Sequence, residues 1–255
     1  GHTLYVACSS LCFGKLPQED ALRTIRDLHF VKVDLAIHAD GPHLRPADVV
    51  ADPVKVAQKL KSANVGYAAF HLNLGPVTGD DARTQVRAVC RLARTLAVPL
   101  VTVPAAPLGS AFDAEVARLA DWVRIAEAEG VILSVETDSK TLTADPKVAA
   151  KLCEKVPGLG ITLDPSHYHC APNGGVSYDE LFPYVRHVRL RDSGAGGKFQ
   201  VRVGQGEIEY GRIVAQLDRC RYERALTVDI RDAVDGPFPV EPEVRKLKYL
   251  IESLV

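Results

Sequence analysis

No methionine occurs anywhere in the 255 residues, not even at the first position, so Gly1 reads as a processing or cloning scar and any removed leader lies outside the chain. No two of the six cysteines, at 8, 12, 90, 153, 170 and 220, are spaced as a C-x2-C pair. That excludes a zinc ribbon and a disulfide-stapled scaffold and suits a reducing compartment. No apolar run approaches the roughly 18 residues that span a bilayer, and the start, Gly1-His2-Thr3-Leu4-Tyr5-Val6, lacks the charged and apolar regions of a secretory signal. A cytoplasmic protein with no membrane partner is therefore expected. An excess of one charge is also missing: 31 Lys and Arg against 32 Asp and Glu leave a formal charge of -1, so no nucleic-acid partner is expected.

What is present is ordinary globular material, 47% hydrophobic and 25% charged, enough for one large core. Short β-rich runs alternate with longer helical patterns and recur about every 30 residues. The runs are Leu4 to Ser9, Val31 to His38, Gly66 to Asn73, Leu100 to Pro104, Val131 to Thr137, Gly160 to Asp164, His187 to Arg191 and Ala225 to Ile230. Parallel strands in this number, each followed by a helix, close a barrel, so the fold class expected is α/β, a single (β/α)8 TIM barrel over 1–255. Between them, Ala82, Val86, Val89, Cys90, Ala93 and Leu96 fall at helical spacing with Arg83, Arg87, Arg91 and Arg94 on the other face. That arginine stripe reads as the solvated side of an outer helix. Gly130 is placed to end the helix that precedes the fifth strand.

Successive side chains of a strand face opposite ways, and a bland barrel would be apolar on both faces. Here one parity class is polar. Ser134, Glu136 and Asp138 alternate with Leu133 and Val135; Thr162 and Asp164 with Ile161 and Leu163; His187, Arg189 and Arg191 with Val188 and Leu190; Thr227, Asp229 and Arg231 with Leu226, Val228 and Ile230. The first half adds His38 and His71 by the same rule. The charged members sit toward the C-terminal strand ends, where barrel enzymes assemble their sites, so Glu136, Asp164, Asp229, Arg189, Arg191 and Arg231 are expected to converge. The alternative is an internal ion-pair lattice that only fills the barrel. Three inward carboxylates with His167, three residues beyond Asp164, suit a divalent cation held by Glu136, Asp164, His167 and Asp229. The ion would be Mn, Mg, Co or Zn. Cys8 and Cys12, at the end of the first strand, are expected to be structural.

Ser134-Val135-Glu136-Thr137, Thr162-Leu163-Asp164-Pro165-Ser166-His167, His187-Val188-Arg189-Leu190-Arg191-Asp192, Gly204-Gln205-Gly206-Glu207-Ile208 and Leu226-Thr227-Val228-Asp229 follow one another across strands five to eight. In this order they resemble the xylose-isomerase-like TIM barrels, which include sugar isomerases and epimerases, inosose dehydratase-like enzymes and endonuclease IV. The resemblance implies a metal held by an acid after strand five, an aspartate after strand six, a histidine in strand seven and a glutamate in strand eight. Glu136 and Asp164 match; Asp229 matches in charge and is one methylene short. Arg189 stands at the histidine position, and a guanidinium stays protonated and does not coordinate. Either Glu136, Asp164, Asp229 and His167 or water hold the ion, or Arg189 has replaced it. The endonuclease IV branch needs further histidines after strands four and seven, and Val101 to Ala105 and Gly196 to Val201 hold none.

The resemblance further implies that Glu136 and Asp229 serve as catalytic bases on a carbon next to a carbonyl. His38, His71, His187, Arg189, Arg191, Gln205 and Arg231 are expected to bind substrate, and Gly194 to Lys198 to form a flexible loop over the site. The function expected is isomerisation or epimerisation of a small sugar or sugar-derived keto acid, with a polyol or cyclitol dehydratase-type lyase as the nearest alternative. A non-catalytic sugar- or anion-binding barrel, with Arg189 in place of the metal, is the alternative of another class. A homodimer is the assembly that the family suggests.

Overall fold

The computed structural model describes residues 4–170, 174–233 and 235–255. Its strands are β1 (Tyr5–Ser9), β2 (Lys32–His38), β3 (Gly66–Asn73), β4 (Leu100–Pro104), β5 (Ile132–Glu136), β6 (Gly160–Leu163), β7 (Val185–Leu190) and β8 (Ala225–Val228). All pair in parallel with their sequence neighbours, and β8 returns to β1, so the sheet closes on itself. This is the (β/α)8 barrel expected, with strand limits displaced by at most two residues at either end.

The helices follow the strands in order: α1 (Gln18–Asp27); α2 (Pro46–Ala51) and α3 (Pro53–Ser62); α4 (Gly79–Thr95); α5 (Phe112–Ala128); α6 (Pro146–Lys155); α7 (Ser166–His169); α8 (Tyr210–Arg219); and α9 (Val240–Glu252). Proline occupies the first turn of α2, α3 and α6, where its missing N–H is not needed, and Asp52 and Asp145 accept from Lys55 N and Lys147 N. The regular alternation fails once. Between β6 and β7 the described residues hold no full-length helix, only the four-residue α7 and a 3-10 turn at Asp179–Tyr184. Gly174, Gly175 and an internal Pro183 deny that stretch a continuous helical hydrogen-bond ladder. No described helix is long and apolar enough to cross a membrane.

The alternation of side chains divides the barrel into two environments. Leu35, Ile37, Phe70, Leu72, Val101, Val103, Leu133, Val135, Ile161, Leu163, Val188, Leu190, Leu226 and Val228 are buried in one hydrophobic cluster with the inner faces of the helices. At roughly 25 cal/mol per Å2 of apolar surface removed from water, this layer supplies the main driving force for closure. The other parity is equally buried and polar: Asp34, His71, Thr102, Ser134, Thr162, His187, Arg189, Thr227 and Asp229. The α4 arginines are less idle than a solvated stripe. Arg83 reaches Asp121 at 2.8 Å, and Arg91 and Arg94 reach Glu129 at 3.2 and 3.4 Å, tying α4 to α5 by exposed pairs of small individual weight.

Helix ends also carry a local cost. Gly130 ends α5 with φ +70°, as expected, but His29, Asn64, Ala97 and Arg221 occupy the same left-handed position after α1, α3, α4 and α8, with φ between 57° and 68°. A Cβ in this region costs about 1 kcal/mol relative to glycine. Ala97 is exposed and offers nothing in return. Replacing Ala97 by glycine is expected to raise the melting temperature by about 1–3 °C. Calorimetry showing a decrease would mean that the αL strain is absent.

Candidate active site at the barrel mouth

The polar interior is layered. Deepest is a chain of hydroxyls across three strands, with Thr102 Oγ1 donating to Thr162 Oγ1 at 2.8 Å and Thr162 Oγ1 to Ser134 Oγ at 2.9 Å. Threonine suits this place, because its branched side chain fits a strand while its hydroxyl both donates and accepts. A charged network crosses the barrel from β2 to β7 and β5. Asp34 Oδ2 lies 2.7 Å from His187 Nε2 and accepts from Arg189 Nε at 2.9 Å; Arg189 Nη1 donates to Glu136 Oε2 at 2.9 Å. His71 Nε2 stands 3.1 Å from the same Glu136 oxygen, without the alignment of a hydrogen bond, and meets His38 edge to face with ring centres 4.5 Å apart. Four buried atoms here have no partner: Asp34 Oδ1, His38 Nε2, His71 Nε2 and Arg189 Nη2.

Charge shapes the protonation states. Burial alone would raise the Asp34 carboxyl, but Arg189 and His187 hold it far below the usual carboxylate range. Glu136 is held low in the same way, against burial, by His71, Arg189 and Arg231. Asp229 is lowered to about 2, against burial, chiefly by Arg231, Arg189 and Arg191. His38 is pushed down to about 2, first by burial and then by His71, Arg231 and Arg189; His71 is lowered by burial and Arg189, with Glu136 opposing. Both imidazoles are therefore neutral at pH 7.

Two further groups border this network. Asp164 Oδ1 accepts from Ser166 N at 3.0 Å and from its hydroxyl, while Asp164 Oδ2 is 3.4 Å from Arg191 Nη2 and 3.5 Å from His167 Nε2. His167 Nδ1 accepts from Ser139 N at 3.0 Å, and its Nε2 lies 3.3 Å from Arg191 Nη2. Asp229 pairs with Arg231 at 3.2 Å; its own side chain is buried, whereas that of Arg231 is 41% exposed.

A strap of residues 193–206 connects β7 toward α8 and fixes the end of β8. Gln200 binds the Arg231 backbone with both ends of its amide, Nε2 donating to O and Oε1 accepting from N, each at 2.8 Å. Asp192 Oδ2 accepts from Gly204 N at 2.8 Å and Gly206 N at 3.0 Å, and buried Glu243 accepts from Val203 N at 2.9 Å. Gly206 is required by space: a Cβ there would stand 2.6 Å from Ser193 N. Within the strap Gly194 N donates to Lys198 O at 2.8 Å, so the expected flexible loop is a closed turn.

The structure thus brings together Glu136, Arg189, His71, His38 and His187 around Asp34, pairs Asp164 with Arg191 and His167, and pairs Asp229 with Arg231. Gln205 stays apart, exposed, its N–H closing a turn on Arg202 O. His187 lies deep, 1% exposed and bonded to Asp34 rather than open at the mouth. Sequence reasoning missed Asp34 and Gln200. Asp34 shares the parity of His38 in β2 and so carried the same signal, but it lies in the first half of the strand, away from the C-terminal end where charged residues draw attention. Cys12 is structural, as expected, buried with Sγ 3.4 Å from Val228 O.

The donor set does not fit a divalent ion. The four expected ligands, Glu136, Asp164, His167 and Asp229, do not converge, and among the described residues no three His, Cys, Asp or Glu side chains come together in a way that could hold a metal. The physical reason is local: Arg189, Arg191 and Arg231 each take one of the three carboxylates, and fixed positive charge opposes a cation at the same place.

Compared with known proteins, residues 22–251 match the family described as xylose isomerase-like TIM barrel, and the chain belongs to that family. No curated protein matches its sequence. Among solved structures, the D-allulose 3-epimerase from Methylomonas sp. superimposes with a TM-score of 0.75 at 14% identity, covering 100% of this chain and 99% of that one. A D-tagatose 3-epimerase-like protein gives 0.73 at 18% identity, covering 99% and 98%. The probable 3-DHS dehydratase involved in petrobactin synthesis from Bacillus anthracis gives 0.71 at 13%, covering 97% and 98%. At these identities the likeness is one of fold.

Two expectations follow from the site. Asp34→Ala strands the buried charge of Arg189 and is expected to cost about 3–5 kcal/mol in denaturant unfolding; a loss below about 1 kcal/mol would show that the bridge carries no weight. For pH, His38 and His71 are lowered on folding, so below about 6.5 the unfolded chain binds protons that the folded chain refuses. Their contribution is complete above that pH and declines as pH falls, each group adding a slope approaching about 1.4 kcal/mol per unit. Urea titrations from pH 7 to 5 should show this decline, shallower in His38→Asn. Equal slopes in the two proteins would contradict it.

Proposed function

We propose that the chain is an isomerase or epimerase of a small sugar or sugar-derived keto acid, moving a proton on the carbon next to a carbonyl. The observation that carries this reading is the pair of carboxylates, Glu136 at the end of β5 and Asp229 just past β8, with the buried Arg189 guanidinium bonded to Glu136 at 2.9 Å and its Nη2 unpartnered. The sugar epimerases among the structures of similar fold agree with it.

A carboxylate takes the α-proton, the C–H electrons move into the carbonyl, and the oxygen of the resulting enediolate needs a cationic or hydrogen-bonding partner. Arg189 Nη2 offers an N–H for that oxygen. The carboxyl that took the proton returns it to the neighbouring carbon; for delivery to the other face the partner carboxylate takes up a proton from solvent and donates it, and the first carboxyl releases its own to solvent, so that both end ionised as they began. Asp229 is the readier base, because its partner Arg231 is 41% exposed, whereas Glu136 is held by the buried Arg189. Neutral His38 and His71 supply uncharged contacts for hydroxyls.

A binding-only barrel is the second reading, favoured by the pairing of every one of these carboxylates with a guanidinium. The two are separated by incubating the protein in D2O with a panel of ketoses, aldoses and sugar-derived keto acids under NMR. A catalyst exchanges an α-proton and interconverts isomers, and Asp229→Asn slows this by about 100- to 10,000-fold. Saturable binding of a sugar with no exchange across the panel would establish the binding protein instead.

A further inference from the structure

We propose that the permanent cation of this site is the Arg189 guanidinium, built in where an ion would otherwise sit, and that the chain excludes divalent metals from the ground between Glu136, Asp164 and Asp229. The inference deepens the function proposed above and rests on the same site.

Three observations carry it. The first is the mounting of Arg189. A residue filling space needs one counter-charge; Arg189 has two, Asp34 at 2.9 Å through Nε and Glu136 at 2.9 Å through Nη1, from strands β2 and β5 that do not adjoin each other or β7. Asp34 is itself braced by His187 at 2.7 Å. The guanidinium is held in place and plane by charge-assisted bonds, which is what a fixed electrophile requires.

The second is the fate of the carboxylates. Glu136 Oε2 accepts from Arg189 and has His71 beside it; Asp164 has Ser166 on one oxygen and Arg191 on the other; Asp229 has Arg231 on both, at 3.4 and 3.2 Å. An incoming ion would have to strip these bonds and sit among three guanidiniums. Their fixed positive charges repel a divalent ion and offset the attraction of the three carboxylates.

The third is an unfilled donor. Arg189 is 2% exposed, and its Nη2 has no hydrogen-bond partner. A buried guanidinium N–H left unpaired is costly, and a ligand oxygen would satisfy it. The chemical class that fits is that of the function proposed above, a polyhydroxy carbonyl compound, whose carbonyl oxygen would accept from Nη2 once the side chains covering that atom part.

The test reads metal uptake rather than turnover. Wild-type protein, dialysed free of chelator against Mn, Co, Mg or Zn, is analysed by elemental mass spectrometry and by melting temperature, beside Arg189→His and Arg189→Gln. The wild type is expected to retain no stoichiometric ion and to melt at the same temperature with and without metal. Arg189→His, which removes the fixed charge and supplies an imidazole, is expected to bind Mn or Co at least tenfold more tightly and to melt several degrees higher when loaded. If that variant does not fold, Arg189→Gln serves, since removing the charge alone should admit the ion. A stoichiometric ion in the wild type, lost in Glu136→Ala, overturns the inference, as does a folded variant that binds metal no better than wild type. The two proposals fail separately: a metal-free protein with no exchange activity removes the reaction and leaves Arg189 as the cation, and an active, metal-loaded wild type does the reverse.

Discussion

The interior of this barrel depends on one bridge, the Arg189 guanidinium between Asp34 and Glu136. Charges buried at this depth are expensive, and only pairing with good geometry makes them tolerable. Remove the guanidinium and two carboxylates face each other across a space closed to water. Remove Asp34 and the guanidinium keeps only Glu136 as its counter-charge, while His187 loses the carboxylate at 2.7 Å. An apolar filling would be the more stable choice, so retaining an ionic one speaks for use rather than support.

The shape of the interior follows from that bridge. One wall, formed by β1, β2 and β3, presents Ala7, Ala36 and Ala69 inward, and the opposite part of the barrel sends in the long side chains of His187 and Arg189. Small residues leave the volume that the guanidinium crosses, an arrangement of short against long suited to a tapered barrel. The hydroxyl chain of Thr102, Thr162 and Ser134 floors the space with groups that serve as donor or acceptor as needed. Outside the sheet, the aliphatic shell does the folding and leaves the inside free for chemistry.

The strap extends the same logic to the rim. Asp192 and Glu243 hold it through backbone N–H groups, and Gln200 clamps the backbone of Arg231 from both sides. The position of the Asp229–Arg231 pair therefore depends on a loop distant in sequence. Since Arg231 is the most exposed of the three guanidiniums on these carboxylates, the end of β8 is where the site has freedom, and the region around Arg189 is where it has none.

Much of this was legible in the order of residues. Strand limits followed from period-2 patterning bounded by helical stretches, and the inward parity of Glu136, Asp164, Arg189 and Asp229 followed from the same alternation, because both are local properties of an extended chain. That the described residues between β6 and β7 hold no full-length helix went unread: the barrel's regular count outweighed Gly174, Gly175 and Pro183. Which inward charges meet was beyond the alternation rule. Parity says that a side chain enters the barrel, while register and reach across it decide its partner; thus Asp34 met residues 153 and 155 positions away, and the carboxylates expected around one ion separated onto three guanidiniums. The sequence by itself determined the barrel and the list of charges inside it, since local periodicity encodes both. Only the tertiary structure decided their pairing, because Coulomb attraction acts on distance in space and is blind to distance along the chain.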